Sequence, residues 1–232
     1  MARRFHRRGF RSFKVKIGAD EETDLARVLT VVRNAPGAAL LLDGNQGFDA
    51  EGMLQFLGSL RRRGVQPRLL EQPVPRDDWD GLARLTRESG VPVCADESVR
   101  TLADAARLIR FQAAGVVNVK FAKSGLFQAV EIARLVRAAG LRLMIGAMLE
   151  SALAITAAAH FAAGWGGFDY VDLDTTYFLE GPLGRTPFLD EEGRFDFRNA
   201  KPGIGVEPPL NQQPRAASRR GRRPLRAHEH RA

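Results

Sequence analysis

Seven short apolar runs alternate with amphipathic stretches of helical length along this chain. FKVKI precedes 21–34, AALLLD precedes 49–63, RLLEQ precedes 77–89, VPVCAD precedes 101–113, GVVNVK precedes 124–139, LRLMIG precedes 151–163, and FDYVDLD closes the series. Strands rich in Val, Leu and Ile and separated by helices read as parallel sheet buried on both faces. Charged residues stand near the ends of five of these runs, at Asp43, Glu71, Asp96, Lys120 and Asp172, in steps of 28, 25, 24 and 52 residues, the last being two units of 26. A doubly wound sheet tolerates varied connections, whereas so regular a unit suits strands set around a ring, and no GxGxxG follows the first strand. The pattern predicts an α/β fold, a (β/α) barrel of which seven strands are visible, with its charged strand ends converging on one mouth.

The net charge of +8 invites a nucleic-acid reading until it is located. Residues 1–11 hold five arginines and residues 211–232 hold seven, leaving a net −3 over residues 12–210. The body is mildly acidic, so nucleic acid is disfavoured as a partner. Both ends lack apolar periodicity and read as basic disordered segments, 1–11 and 209–232, flanking a catalytic domain at 12–208. No apolar run reaches the roughly 20 residues that cross a bilayer, and the arginine-laden start is unlike a secretory signal. With one cysteine, Cys94, and so no internal disulfide, the expectation is a soluble cytoplasmic protein with no membrane partner.

Three consecutive runs end in a carboxylate: LLLDGNQG at Asp43, RLLEQPV at Glu71 and VPVCADES at Asp96. Burying three anions together is costly without a cation, and an oxygen-only set with room for substrate and water suits Mg²⁺. His6, His228 and His230 lie in the end segments and His160 on a helix, so no zinc set competes. The plainer alternative is that each acid caps the helix that follows it.

Lys14 and Lys16 alternate along the first run and so share a strand face. Lys120, at the end of the fifth run, would stand across the mouth. A neighbouring ammonium, desolvation and a divalent cation all disfavour the charged amine, so the pair is expected to hold Lys16 partly neutral. Two such bases facing each other across a metal-bound carboxylate could take a proton from its α-carbon on one face and return it on the other, while Mg²⁺ stabilises the developing enolate charge.

FKVKIG, LLLDGNQGF, LLEQPV, ADESV, VNVKFAKSGL and IGAMLESALAITAAAHFA together resemble the muconate-lactonizing branch of the enolase superfamily, from about residue 12 to 208. The resemblance implies Lys16 and Lys120 as the exchanging bases, Asp43, Glu71 and Asp96 as metal ligands, and Lys14 on the substrate carboxylate. It also implies Asn45, Met148 and Glu150 as pocket residues and Lys123 as a supporting charge. Asp172 and Asp174, in DYVDLD, look like the acids with which dipeptide epimerases hold the substrate's α-ammonium group, so a dipeptide is the implied small-molecule partner. By the same resemblance the chain would enter at the second barrel strand, without a capping domain or first strand, and an open edge would invite a second copy. A cycloisomerase or o-succinylbenzoate synthase-like enzyme of the same branch, or an inactive fragment, remain the alternatives.

Overall fold

The computed structural model describes residues 1–179 and 186–206. Seven parallel strands form one sheet in chain order: β1 (Ser12–Lys16), β2 (Ala39–Asp43), β3 (Leu69–Glu71), β4 (Val93–Ala95), β5 (Val116–Val119), β6 (Arg142–Gly146) and β7 (Tyr170–Asp172). Helices α2 (Glu21–Asn34), α3 (Ala50–Arg61), α4 (Trp79–Glu88), α5 (Leu102–Phe111), α6 (Phe121–Ala138) and α7 (Ala152–Trp165) return the chain between successive strands. The expected alternation is present throughout.

The strands' two-residue period divides the apolar side chains into two layers. Outward residues such as Leu42, Leu70, Val93, Val117, Leu143 and Ile145 meet Val28, Phe56, Leu57, Leu82, Leu85, Leu108, Ile132 and Ile155 from the helices, all essentially inaccessible to water. Each such Leu or Ile contributes roughly 2 kcal/mol by leaving water. Inward residues Leu41, Leu69, Cys94, Val116 and Met144 form a second, smaller cluster against Tyr170, filling the barrel's interior. The sheet therefore has a packed floor, and the polar residues one step further along the strands stand above it.

Edge strands β1 and β7 exchange no backbone hydrogen bonds among the described residues, yet the sheet curls far enough for their side chains to touch: Lys14 Nζ lies 2.8 Å from Asp172 Oδ2. The architecture is a nearly closed, incomplete barrel. A depression of about 350 Å³ at the strands' N-terminal end is lined by Arg68, Arg142 and Tyr170 among others and is bordered by none of the mouth's lysines or carboxylates.

Residues at the start of the chain depart from expectation. Helix α1 (Ala2–Arg7) forms where the sequence reads as disordered, because Phe5 and Phe10 pack edge-on against each other at 5.1 Å and each meets Tyr177 at 5.7 Å. Arg8 lies 5.5 Å from the Tyr177 ring and donates to the Glu191 carbonyl at 3.0 and 2.6 Å. The aromatic anchors are interleaved with five arginines, which hides their periodicity. The basic segment 209–232 lies outside the described residues.

Candidate active site

Helix capping and the strand-end acids are separate. Asp20, Asp49 and Asp78 accept from the backbone N–H of Thr23, Gly52 and Gly81 at the starts of α2, α3 and α4, and Thr101 forms a capping box with Asp104 on α5. Asp43, Glu71 and Asp96 are therefore free of the capping duty that would have explained them away. All three are buried, each exposed by no more than 1 %.

Register explains why they meet. Lys16 pairs Asp43 across β1–β2, and Asp43 pairs Glu71 across β2–β3, while Asn118 and Lys120 follow on the same face near the end of β5. Lys14 Nζ sits at the centre, 3.0 Å from Asp43 Oδ2, 2.8 Å from Glu71 Oε2 and 2.8 Å from Asp172 Oδ2. A second group forms around Asp96, which accepts from Lys120 at 2.5 Å on Oδ2 and from Lys123 at 2.6 Å on Oδ1. Lys16 bonds Asp43 at 3.1 Å and Asn45 at 2.8 Å, with its side chain 70 % exposed, whereas the Lys120 side chain is 7 % exposed.

Two of the mouth amines are held in their charged form by the carboxylates around them. Burial alone would push the Lys14 ammonium's pKa down, but Glu71, Asp172 and Asp43 together outweigh it and hold it above the ordinary lysine value. Lys120 follows the same balance, burial opposed and overcome mainly by Asp96. Only Lys123 is lowered, because its burial is more complete. Convergent carboxylates, not the neighbouring ammonium, dominate these two mouth amines.

The acids diverge correspondingly. Burial raises Glu71 to about 7 against the pull of Lys14, helped by the charges of Asp43 and Asp96. Asp96 falls to about 2, because Lys123 and Lys120 outweigh its burial. A carboxyl raised in the fold binds its proton more tightly folded than unfolded, so its contribution is greatest below its unfolded value and is lost as pH rises. In chelator, stability should therefore fall between pH ~4.5 and ~7, by on the order of 3 kcal/mol if Glu71 acts alone. Denaturant titrations at several pH values measure this, and Glu71→Gln should flatten the profile.

Among the described residues no three His, Cys, Asp or Glu side chains are gathered as a ready metal cage, since Asp43 and Glu71 close on Lys14 while Asp96 turns to Lys120 and Lys123. The donor chemistry nevertheless fits a hard divalent cation. Glu71 Oε2, fully buried, is paired with the Lys14 ammonium at 2.8 Å and has no other polar partner among the described residues. A buried carboxylate oxygen met by one ammonium and no hydrogen bond is what an oxygen-seeking cation would satisfy.

Other expected site residues fall around the rim. Asn45 adopts a left-handed φ of 41° at the β2 end, tolerated by Asn, and accepts from Lys16. Met148 and Glu150 follow β6, with the Met148 N–H donating to Glu150 Oε1 at 2.8 Å. Asp172 ends β7, but Asp174 lies beyond it, immediately before the 3₁₀ turn Thr175–Phe178, so strand alternation orients only the first of the pair. Crowding at the mouth and then the charge of Asp172 push the Asp174 carboxyl up.

Sequence reasoning missed two polar residues. Asn118 donates to Glu71 Oε1 at 2.8 Å, and its i, i+2 spacing from Lys120 was the available signal. It also dictates Gly146, where a Cβ would stand 2.6 Å from Asn118 Oδ1. Buried Gln72, at φ 31°, accepts from the N–H of Asp96 and Ser98 and donates to Val74 O and Ser98 Oγ, lacing the loops after β3 and β4 together. No pattern in the sequence marks it.

Known proteins resemble this chain in sequence and in fold. A hydrophobic dipeptide epimerase of Citrifermentans bemidjiense is 59% identical over 210 residues, covering 89% of this chain and 57% of that protein. A mandelate racemase/muconate lactonizing enzyme from Roseiflexus sp. superposes with a TM-score of 0.85 at 47% identity, over 89% of this chain and 60% of that one. A dipeptide epimerase from Enterococcus faecalis, complexed with Mg and the dipeptide L-Leu-L-Tyr, gives a TM-score of 0.74 at 34% identity, over 78% of this chain and 51% of that one. The chain spans about half the length of the curated relatives it matches. No helix among the described residues is long and apolar enough to cross a membrane. With a family match running over residues 1–212, and with dipeptide epimerases among its close relatives, the chain belongs to the enolase C-terminal domain-like family of the mandelate racemase/muconate lactonizing branch.

Proposed function

We propose that this chain epimerises dipeptides at the α-carbon of the second residue, by a two-base exchange between Lys16 and Lys120. The observation that carries the reading is the placement of these amines. Lys16 ends β1 and Lys120 follows β5, separated by three intervening strands in one direction and by β6, β7 and the open edge in the other. An α-carbon held over the mouth between them would present one face to each amine.

Asp43, Glu71 and Asp96 would hold a magnesium ion, which when bound supplies Lewis-acid stabilisation of the charge that develops on the substrate carboxylate. The chain's own groups do the rest. Asp96 favours the protonated form of Lys120 and so sets it up as proton donor; sharing Asp96 with another cation would ease that amine toward the neutral form that accepts a proton. Lys14, among Asp43, Glu71 and Asp172, brings positive charge to the end of the site where the substrate carboxylate would lie. Asp172, across from Lys14 on β7, accepts from the substrate's α-ammonium group, a charge-assisted contact suited to a free dipeptide amine.

Incubation with Mg²⁺ and L,L-dipeptides in D₂O, followed by NMR, tests the proposal. Loss of the second residue's α-proton signal with growth of the L,D diastereomer is the expected result. No exchange with acidic, basic or apolar dipeptides would overturn it. Asp172→Asn should lower kcat/KM for free dipeptides by roughly 10- to 100-fold, the worth of one charge-assisted hydrogen bond. N-acetyl dipeptides, which lack the ammonium, should show no such sensitivity. A cycloisomerase or dehydratase using a substrate without an amine would be indifferent to this substitution.

A further inference from the structure

Lys16 and Lys120 are held in different ways. Lys120 is buried and locked by Asp96, whereas the Lys16 side chain is 70 % exposed and reaches its partners over four rotatable bonds. Where its amine sits depends on the backbone just beyond β1.

That backbone is pinned by two residues of α2 to which no role has been given above. Asp24 is fully buried. Its Oδ2 accepts from the N–H of Gly18 at 2.7 Å and of Ala19 at 3.1 Å, and its Oδ1 accepts from Arg27 Nη1 at 2.7 Å. The same Arg27 nitrogen donates to the carbonyl oxygen of Lys16 itself at 2.7 Å. The turn so fixed is wedged against the next loop. Gly18, at φ 119°, is so close to it that a Cβ there would lie 3.0 Å from Gly44 O, and one on Gly47 would lie 2.8 Å from Gly18 Cα. That next loop carries Asn45, which takes the Lys16 amine.

We infer that Asp24 and Arg27 are positioning residues for Lys16, fixing its backbone and the adjoining turn so that its amine addresses one face of the substrate. A buried carboxylate that spends two of its three contacts on one turn, and the third on a guanidinium that grips the Lys16 carbonyl, does more than start a helix, which Asp20 already caps. The inference rests on the two-base reading and adds a directional consequence. Loosening the clamp should impair proton removal by Lys16 and leave removal by Lys120 alone.

α-Hydrogen exchange in D₂O separates the two, since each amine takes the hydrogen from one diastereomer and can return deuterium to the same face. Arg27→Gln should lower exchange at one diastereomer by roughly 10- to 100-fold, the cost of a misplaced catalytic group. Exchange at the other should stay within about twofold, and the affected diastereomer must be the one that Lys16→Met also silences. Arg27→Lys keeps the counter-charge beside buried Asp24, and with it the fold, but cannot hold both contacts as Arg27 does; it should give a smaller loss of the same one-sided kind. Equal losses at both diastereomers in a folded variant, or no loss in Arg27→Lys, would overturn the positioning role while leaving the epimerase reading intact. No exchange by the unaltered chain at either diastereomer would overturn both.

Discussion

Replacing Lys120 by Met is expected to lower epimerisation by about 10³-fold, the middle of the range for loss of a positioned acid–base group, without unfolding the protein. The fold should survive because Asp96 keeps Lys123, which bonds its Oδ1 at 2.6 Å and also the carbonyls of Asp96 and Asn118 at 2.6 and 2.8 Å. Methionine fills the buried stem of the lysine with an apolar chain of similar length. The distinguishing readout is again exchange in D₂O: the diastereomer served by Lys16 should still trade its α-hydrogen for deuterium, without inversion, while the other becomes inert. Complete loss of exchange at both would mean that Lys120 does something other than serve one face.

Glu71→Gln should produce two effects of opposite sign. Magnesium affinity, measured by calorimetry, should fall at least about 100-fold, since even outer partners of metal ligands are worth 10- to 100-fold. In chelator at neutral pH the same variant should be more stable than the parent chain. A neutral amide replaces a buried carboxylate whose ionisation is disfavoured by burial, and by Asp43 and Asp96, more than Lys14 favours it; the amide oxygen can accept from Lys14 while its N–H₂ donates to Asn118 Oδ1, which has no partner among the described residues of the parent chain. A variant that lost stability and kept its magnesium affinity would show that Glu71 is structural.

Much of this site was legible because strands impose a period. One apolar run after another ending in a charged residue forced those residues to one end of the sheet, and register then brought Asp43 beside Glu71 and Lys16 beside Asp43. The sequence favoured a shared site for Asp43, Glu71 and Asp96 because the three stand in register, with helix caps as the alternative; the structure gives the caps to Asp20, Asp49, Asp78 and Thr101.

What escaped was whatever depends on how many charges converge at a point. Two lysines on one strand suggested an amine pushed toward neutrality by its neighbour, but Lys14 meets acids from β2, β3 and β7, and three attractions overcome its burial. Distance along the chain conceals this, since Lys14 and Asp172 are 158 residues apart. Asp24 is one of three acids in the first turn of α2, and only the folded turn reveals its carboxylate directed back at Gly18 and Ala19. Helix α1 escaped for a related reason: its partner Tyr177 lies at the other end of the sheet.

The most direct measurement is a crystal structure of the chain with Mg²⁺ and a dipeptide. The proposed chemistry requires the second residue's α-carbon between the Lys16 and Lys120 amines, one on each face, with Asp43, Glu71 and Asp96 on the metal and Asp172 at the substrate's ammonium group. Both amines on one face of that carbon, or a magnesium ion bound away from the three carboxylates, would contradict it.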